Sequence, residues 1–476
     1  MTVPYKSTRT GIFLAVCWLY ACIHLDRQVL SVLAESVKSD LQLSDQQLGV
    51  LTGSAFSIAY ALLGLYFGIL ADQVDRLHLV RVGAWVWSVS CIVAGLAPGY
   101  SMLVASRGGV AVGEAIATSA AVSLMSELGG ETHRAKIASV FFVSAFIGAG
   151  AAAIGGGAIV EMFRNSAHIA GWRAALVAAG TPGIAGAIVL GVFFRRETTD
   201  RLARDAERSQ PELAIVLMLA AALVLLVQMY LSPTAGVSLC VMAALGVAIW
   251  WMRRLRRTDP SAYLATLGCT PFRVLVLGFA ALMFVDYAAA FWFIPYAQRR
   301  FALGAASAGG QLGGLMIVGG IAGCMAGGWL ADRWRALQAS GRVWTALLAV
   351  LAEGAAILAA LGQGDYVNFM IAFAGFCLAS GAWTGVAAAI AFDIVPPEHR
   401  GVSAAAYFFL TTMLGPGLGP FVVGLGSDQF GSLSLALAWA CVPVLFSAGS
   451  LVWLALLTDK AAMPLRIDEG LQSPER

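Results

Sequence analysis

Six charged residues stand inside long apolar stretches: Asp26 and Arg27, Arg107 and Glu114, Asp286, and Glu353. A charge at the centre of a bilayer costs at least about 2.5–3.5 kcal/mol on insertion scales, so each needs a partner or a wet cavity. Arg107 and Glu114 are seven residues apart. Seven helical steps of about 100° return to the same face, about 10 Å further along the axis. Asp26 and Arg27 are adjacent and point about 100° apart, so neither neutralises the other on one face. The spacing predicts a polar cluster between the first and fourth apolar helices, in which Arg27 and Arg107 meet carboxylates. Burial and a nearby arginine act in opposite senses on a carboxyl's hold on its proton. A movement that changed the pairing would therefore couple protonation to conformation. On this reading Asp26 and Glu114 are proton-coupling candidates, and Arg27 or Arg107 anchors an anionic group. A buried ion network that only holds the two helices together fits the same spacing. Asp286, beside Tyr287, Trp292 and Pro295, is a candidate for a cavity-facing, substrate-binding position. Glu353 has no evident partner. His24 lies within a turn of Asp26 and is read as packed or solvated.

The elements that position these residues are read from composition. The chain has 476 residues, 59% hydrophobic and 12% charged, with a mean hydropathy of +0.80. Soluble domains are about 25% charged, so this chain cannot cover itself for water. A net charge of +3 is too small to suggest nucleic-acid binding, and the basic residues serve topology instead. The eight cysteines are scattered with no C-x-x-C spacing, so neither a metal site nor a disulfide framework is expected. No cofactor motif occurs: H-E-x-x-H, G-x-S-x-G and a Walker-type loop are all absent, and with them the expectation of an enzyme. The N-terminal run continues through His24, Asp26 and Arg27, so it reads as a first span and not as a cleaved signal peptide.

A membrane-crossing helix needs about 20 mostly apolar residues. Fourteen such runs occur, and the pair at 212–231 and 235–252 is joined only by Ser232-Pro233-Thr234. Cytoplasmic loops hold an excess of Lys and Arg. With both termini inside, 23 of the 30 basic residues fall in inside segments, 5 in outside loops and 2 within spans. The expected architecture is an all-α polytopic membrane protein of a cell membrane, a bacterial inner membrane by expectation, with both termini cytoplasmic.

The chain also repeats itself. Gly68-Ile-Leu-Ala-Asp-Gln-Val-Asp-Arg76 and Gly327-Gly-Trp-Leu-Ala-Asp-Arg-Trp-Arg335 align Asp72 on Asp332, an offset of 260. Asp26 precedes Asp72 by 46 residues, as Asp286 precedes Asp332. Glu127 precedes Arg134 by seven, as Asp393 precedes Arg400. These anchors define a six-helix bundle over 10–195, a linker over 196–271 carrying the two inserted helices, and a second six-helix bundle over 272–460. Both halves start on the same side, so the repeats are parallel and a substrate site is expected between them near the midplane. The loop residues Gly68, Asp72, Arg76, Glu127, Arg134, Asp332, Arg333, Asp393 and Arg400 read as a cytoplasmic gate whose charges pair in one state and part in the other. Gly64 with Gly68, and Gly319 with Gly323 and Gly327, have the four-residue spacing that lets helix backbones approach.

Several of these segments carry a resemblance. Gly68 to Arg76 resembles the loop signature after the second helix of the major facilitator superfamily, and Arg107 with Gly113 resembles its fourth-helix arginine motif. More narrowly, His24-Leu25-Asp26-Arg27-Gln28, Leu43-Ser44-Asp45-Gln46-Gln47-Leu48-Gly49, Val112-Gly113-Glu114-Ala115 and Gly417-Leu418-Gly419-Pro420 leading to Ser427-Asp428 are similar to the spinster family of lysolipid and sphingolipid carriers. The resemblance covers most of residues 15–430. It implies a major facilitator fold with two additional helices, and a secondary active transporter working by alternating access. It implies proton coupling and an amphipathic organic anion, such as a lysophospholipid or sphingoid lipid, as substrate, with membrane lipids around it. The chain departs from the superfamily signature at Gln73 and Asp75, and it lacks the fifth-helix proline of the antiporter motif. A small aromatic or carboxylic acid is the competing substrate class, and a membrane sensor is the competing function. The inserted helices are open among a lipid-facing brace, an oligomer contact and a lateral cover.

Overall fold

The computed structural model describes residues 5–71, 74–128, 130–193 and 211–471, and every described element is a helix. The first half comprises α1 (Tyr5–Leu41), α2 (Asp45–Thr52), α3 (Ser54–Ala71), α4 (Arg76–Gly95), α5 (Tyr100–Leu128), α6 (Gly130–Met162) and α7 (Gly171–Phe193). Then come α8 (Pro211–Tyr230), α9 (Pro233–Thr258) and the short α10 (Pro260–Ala265). The second half comprises α11 (Thr270–Phe301), α12 (Ala305–Leu337), α13 (Gly341–Leu361), α14 (Tyr366–Ile394), α15 (Arg400–Phe430), α16 (Leu433–Ala440) and α17 (Pro443–Leu471). Thirteen stretches are long and apolar enough to cross a membrane, α2 with α3 counting as one and α16 with α17 as another. The 20-residue α8 is the fourteenth apolar helix.

The interruption between α2 and α3 falls at Gly53, and a Cβ there would meet the carbonyl oxygens of Pro416 and Gly417 in α15. Two weak points of the helix ladder therefore meet each other, since α15 carries Pro416 and Pro420 within its length. The second seam between the halves is built from glycine. Gly150, Gly157, Gly309 and Gly313 leave no room for a side chain where α6 crosses α12. Gly319, Gly323 and Gly327 are likewise filled by the backbone or Cβ of Cys377, Leu378 and Ala382 on α14. Such contact maximises dispersion where lipid removes the hydrophobic drive between helices. Gly64 and Gly68 do not behave this way. Both face open space, so their spacing marks no helix contact in this state.

The inserted hairpin packs on α3 and α5 of the first half. Ser54 Oγ donates to Gln228 Oε1 at 2.8 Å, Gln228 Nε2 donates to Cys240 Sγ at 3.3 Å, and Leu225 fills the notch left by Gly108. Its apolar side joins Ile58, Leu62 and Leu65 of α3 with Phe409 and Met413 of α15 in one buried cluster, separate from the main core. The hairpin thus stands over the line where α3 meets α15.

Candidate functional site

α1 carries Asp26 and Arg27 to the depth at which α5 presents Arg107 and Glu114. The pairing is crossed. Arg107 Nη1 donates to Asp26 Oδ2 at 2.8 Å, and Arg27 Nε donates to Glu114 Oε2 at 2.7 Å. The helical angle between Asp26 and Arg27 produces this, because each side chain reaches a different turn of α5. Asp26, Arg107 and Glu114 are 1%, 3% and 0% exposed. Both guanidinium groups lie over Phe56, Arg27 at 4.9 Å and Arg107 at 5.1 Å from the ring centre, and Arg27 also lies 4.8 Å from that of Tyr60. The aromatic faces contribute a second, weaker attraction for each cation. Asp26 Oδ1, Glu114 Oε1 and Arg107 Nε have no protein partner, so the cluster keeps spare hydrogen-bonding capacity.

Arg27 is the member that reaches the other half. It interacts with Tyr287 of α11, next to Asp286. One turn further along, α1 and α11 are stitched together: Gln28 Nε2 donates to Ala290 O at 2.9 Å and Ser31 Oγ to Phe291 O at 2.5 Å. Arg27 therefore sits just beneath the contact that joins the halves. His24 is turned away, its Nδ1 at 3.0 Å from Tyr20 O. Trp292, a substrate-site candidate, is fully buried and donates to Pro420 O at 2.9 Å. It packs α11 on α15 beneath Arg299, whose guanidinium lies 5.8 Å from its ring centre.

The face opposite the chain termini is closed by charge. Arg299 grips Asp45 through two nitrogens at 2.6 and 2.7 Å and donates to Glu35 at 2.8 Å. Lys38 and Ser427 also bind Asp45, at 2.5 and 2.6 Å. Asp428 accepts from the backbone N–H of Asp45 and of Gln46, at 3.1 and 2.8 Å, capping the first turn of α2 from the other half. The sequence reading of the gate includes none of these residues. The signal lay in the Leu43–Gly49 and Ser427-Asp428 segments, which pair with each other. A depression of about 480 Å³ lined by Lys38, Arg299, Arg300 and Asp428 lies at this closed face, away from the buried ion pairs.

At the termini face, the loop charges of the second half pair differently from expectation. Arg342 donates to both Asp332 and Asp393 at 2.9 Å, and Arg335 lies 3.6 Å from Asp393. Arg333 instead lies over Trp329, and Arg400 donates to Phe392 O at 3.2 Å. Arg342 starts α13, and its register, invisible to a loop motif, delivers it between the two carboxylates. Arg76 donates to Ala71 O at 3.1 Å, and Asp75 caps α4. Asp72 and the side chains of Glu127 and Arg134 lie outside the described residues.

A family model described as the Major Facilitator Superfamily matches residues 16–340. The chain belongs to the major facilitator superfamily. It is a transporter and not an enzyme. This major facilitator chain is 25% identical over 407 residues to an MFS-type efflux pump of Mycolicibacterium smegmatis, covering 85% of this chain and 81% of that one. It is 24% identical over 441 residues to protein spinster homolog 1 of Homo sapiens, covering 88% and 74%. The fold matches the crystal structure of a bacterial homolog to the human lysosomal transporter Spinster, inward-facing and unoccupied, at a TM-score of 0.69, 21% identity and 96% of both chains. A peptide transporter, POT, in complex with alafosfalin matches at a TM-score of 0.69, 14% identity and 95% of each chain.

Proposed function

We propose that this major facilitator chain is a proton-coupled carrier of an amphipathic organic anion, a lysophospholipid or sphingoid lipid, working by alternating access. The crossed pair Asp26–Arg107 and Arg27–Glu114 carries the reading. Removing one partner of a buried pair costs about 3–5 kcal/mol, so substrate and proton have to enter this network together. An anionic head group that bonds Arg27 releases Glu114 to take a proton, and deprotonation of Glu114 returns Arg27 to it. Asp26 and Arg107 act on the same exchange from the neighbouring turn of α5. Tyr287 and Asp286 on α11 sense whether Arg27 is engaged, which links the chemistry to the contact between the halves. The charge seal around Asp45 and Arg299 then opens as the termini face closes. The similarity to spinster relatives supports the lipid class, and the positive-inside count supports a cell membrane with cytoplasmic termini.

The test is pH-gradient-driven flux of a lysophospholipid in proteoliposomes, with Glu114→Gln and Asp26→Asn beside the unaltered chain. Gradient-dependent flux that either substitution abolishes supports the reading. No lysophospholipid flux removes the lipid and turns the test to small organic acids; wild-type behaviour in both variants makes the cluster structural.

A further inference from the structure

The two halves are related helix by helix. α5 and α14 align end to end at an offset of 266, Tyr100 on Tyr366 and Leu128 on Ile394. That places Phe373 where the first half has Arg107, and Ser380 where it has Glu114. At the offset of 260 for α1 and α11, Asp26 becomes Asp286 and Arg27 becomes Tyr287. The second half has thus kept one carboxylate of the cluster and lost both arginines.

It has also gained a carboxylate. Glu353 projects from α13, whereas the corresponding helix α4 has neither Asp nor Glu. Glu353 is 0% exposed and Asp286 is 8% exposed, and the two interact electrostatically. Trp383 Nε1 donates to Glu353 Oε2 at 2.7 Å, and Ser380 faces Asp286. The remaining oxygens, Glu353 Oε1 and Asp286 Oδ1, are buried with no protein partner, as is the hydroxyl of Tyr407. The tyrosine ring packs on Phe279, which packs on Trp383. The other titratable groups acting here are Tyr287 on α11, Cys377 on α14 and Cys441 at the end of α16. Among the described residues no Lys, Arg or His acts on either carboxyl. Asp286 stands about 24 Å along α11 from its first residue, deep within the bundle.

We infer that Asp286 and Glu353 form a cation site in the second half, occupied by a proton that exchanges during the transport cycle. Buried carboxylates without a basic partner are neutralised or filled. The first half supplies internal cations for its two acids. The second supplies only indole and hydroxyl donors, which satisfy one oxygen and leave the other for an O–H. Four helices, α11, α13, α14 and α15, converge on the site, so rearrangement of any of them changes which acid carries the proton. Occupancy does not depend on the substrate carried. The exchange during transport rests on the proposed proton coupling.

Infrared difference spectroscopy of the full purified chain, without substrate, tests occupancy. The expected result is a protonated-carboxyl band that titrates in the unaltered chain, loses one component in Glu353→Gln and another in Asp286→Asn. Glutamine keeps the acceptor for Trp383, and Asp286→Asn carries the same test should Glu353→Gln not fold. No such band, or a band unchanged by both substitutions, overturns the proposal. Stabilisation by Na⁺ that Glu353→Gln abolishes, with no carboxyl band, overturns the proton in favour of a metal cation. In proteoliposomes, Glu353→Gln is expected to lower pH-driven accumulation about tenfold per unit of pH gradient, the factor one coupled proton supplies, while exchange without a gradient persists. Accumulation equal to that of the unaltered chain overturns the exchange. A band that titrates in a chain with no pH-driven flux at all counts against the proposed carrier and not against the occupied site.

Discussion

The first half answers two buried acids with two arginines; the second answers two buried acids with an indole, a serine and, among the described residues, no base. The same fold unit, repeated, has been given opposite electrostatic solutions. The difference teaches that the repeat keeps one carboxylate, Asp26 with Asp286, but changes both the helix that carries the second acid and the way the pair is neutralised. In this state a crossed ion pair holds α1 to α5 with internal cations. A pair of carboxyls with no base among the described residues depends on a bound cation, whereas the acids of the first half carry their own.

The largest expected effect breaks the first half. Arg107→Ala strands Asp26 and should destabilise the chain by about 3–5 kcal/mol in thermal unfolding. Adding Asp26→Asn to it should recover at least half of that, and failure to recover any would mean that the arginine acts through packing on Phe56. Next comes the seal. Arg299→Gln removes the ion pairs with Asp45 and Glu35 and should shift the balance of states by about 2 kcal/mol, roughly 30-fold, toward opening at the face opposite the termini. Spin labels at Ser39 and Arg300 report it as a longer distance; an unchanged distance would place the seal in α1–α11 packing. A smaller effect compares glycine seams. Gly309→Ala must push Ala153 aside and should cost about 1–3 kcal/mol in detergent stability. Gly64→Ala meets open space and should stabilise α3 by up to about 1 kcal/mol. The smallest is Glu353→Gln, expected within about 1 kcal/mol of the unaltered chain because Trp383 keeps its acceptor. A loss as large as that of Arg107→Ala would show that Glu353 is structural.

The span count, the parallel repeat and the meeting of α1 with α5 were legible in the sequence. Hydropathy over about 20 residues, charge asymmetry between loops and the angular step of a helix are local quantities, and each can be counted along the chain. The gate was less legible. Asp45 and Arg299 are 254 residues apart and look like ordinary loop charges until α2 and α11 are brought together. Motif position points to Arg333 and Arg400, whereas Arg342 is the residue that bridges Asp332 and Asp393, because the first turn of α13 aims it there.

By itself, the sequence determined that this chain crosses a membrane many times, in two related halves, with charges buried where charges are expensive. Only the tertiary structure decided which charge meets which. It crossed Asp26 to Arg107 and Arg27 to Glu114, committed Trp292 to Pro420, set the inserted hairpin over the line between α3 and α15, and left Asp286 and Glu353 without a base. The physical reason is that burial is dictated by the residue type along one helix, whereas neutralisation is dictated by the rotation and depth of its neighbours.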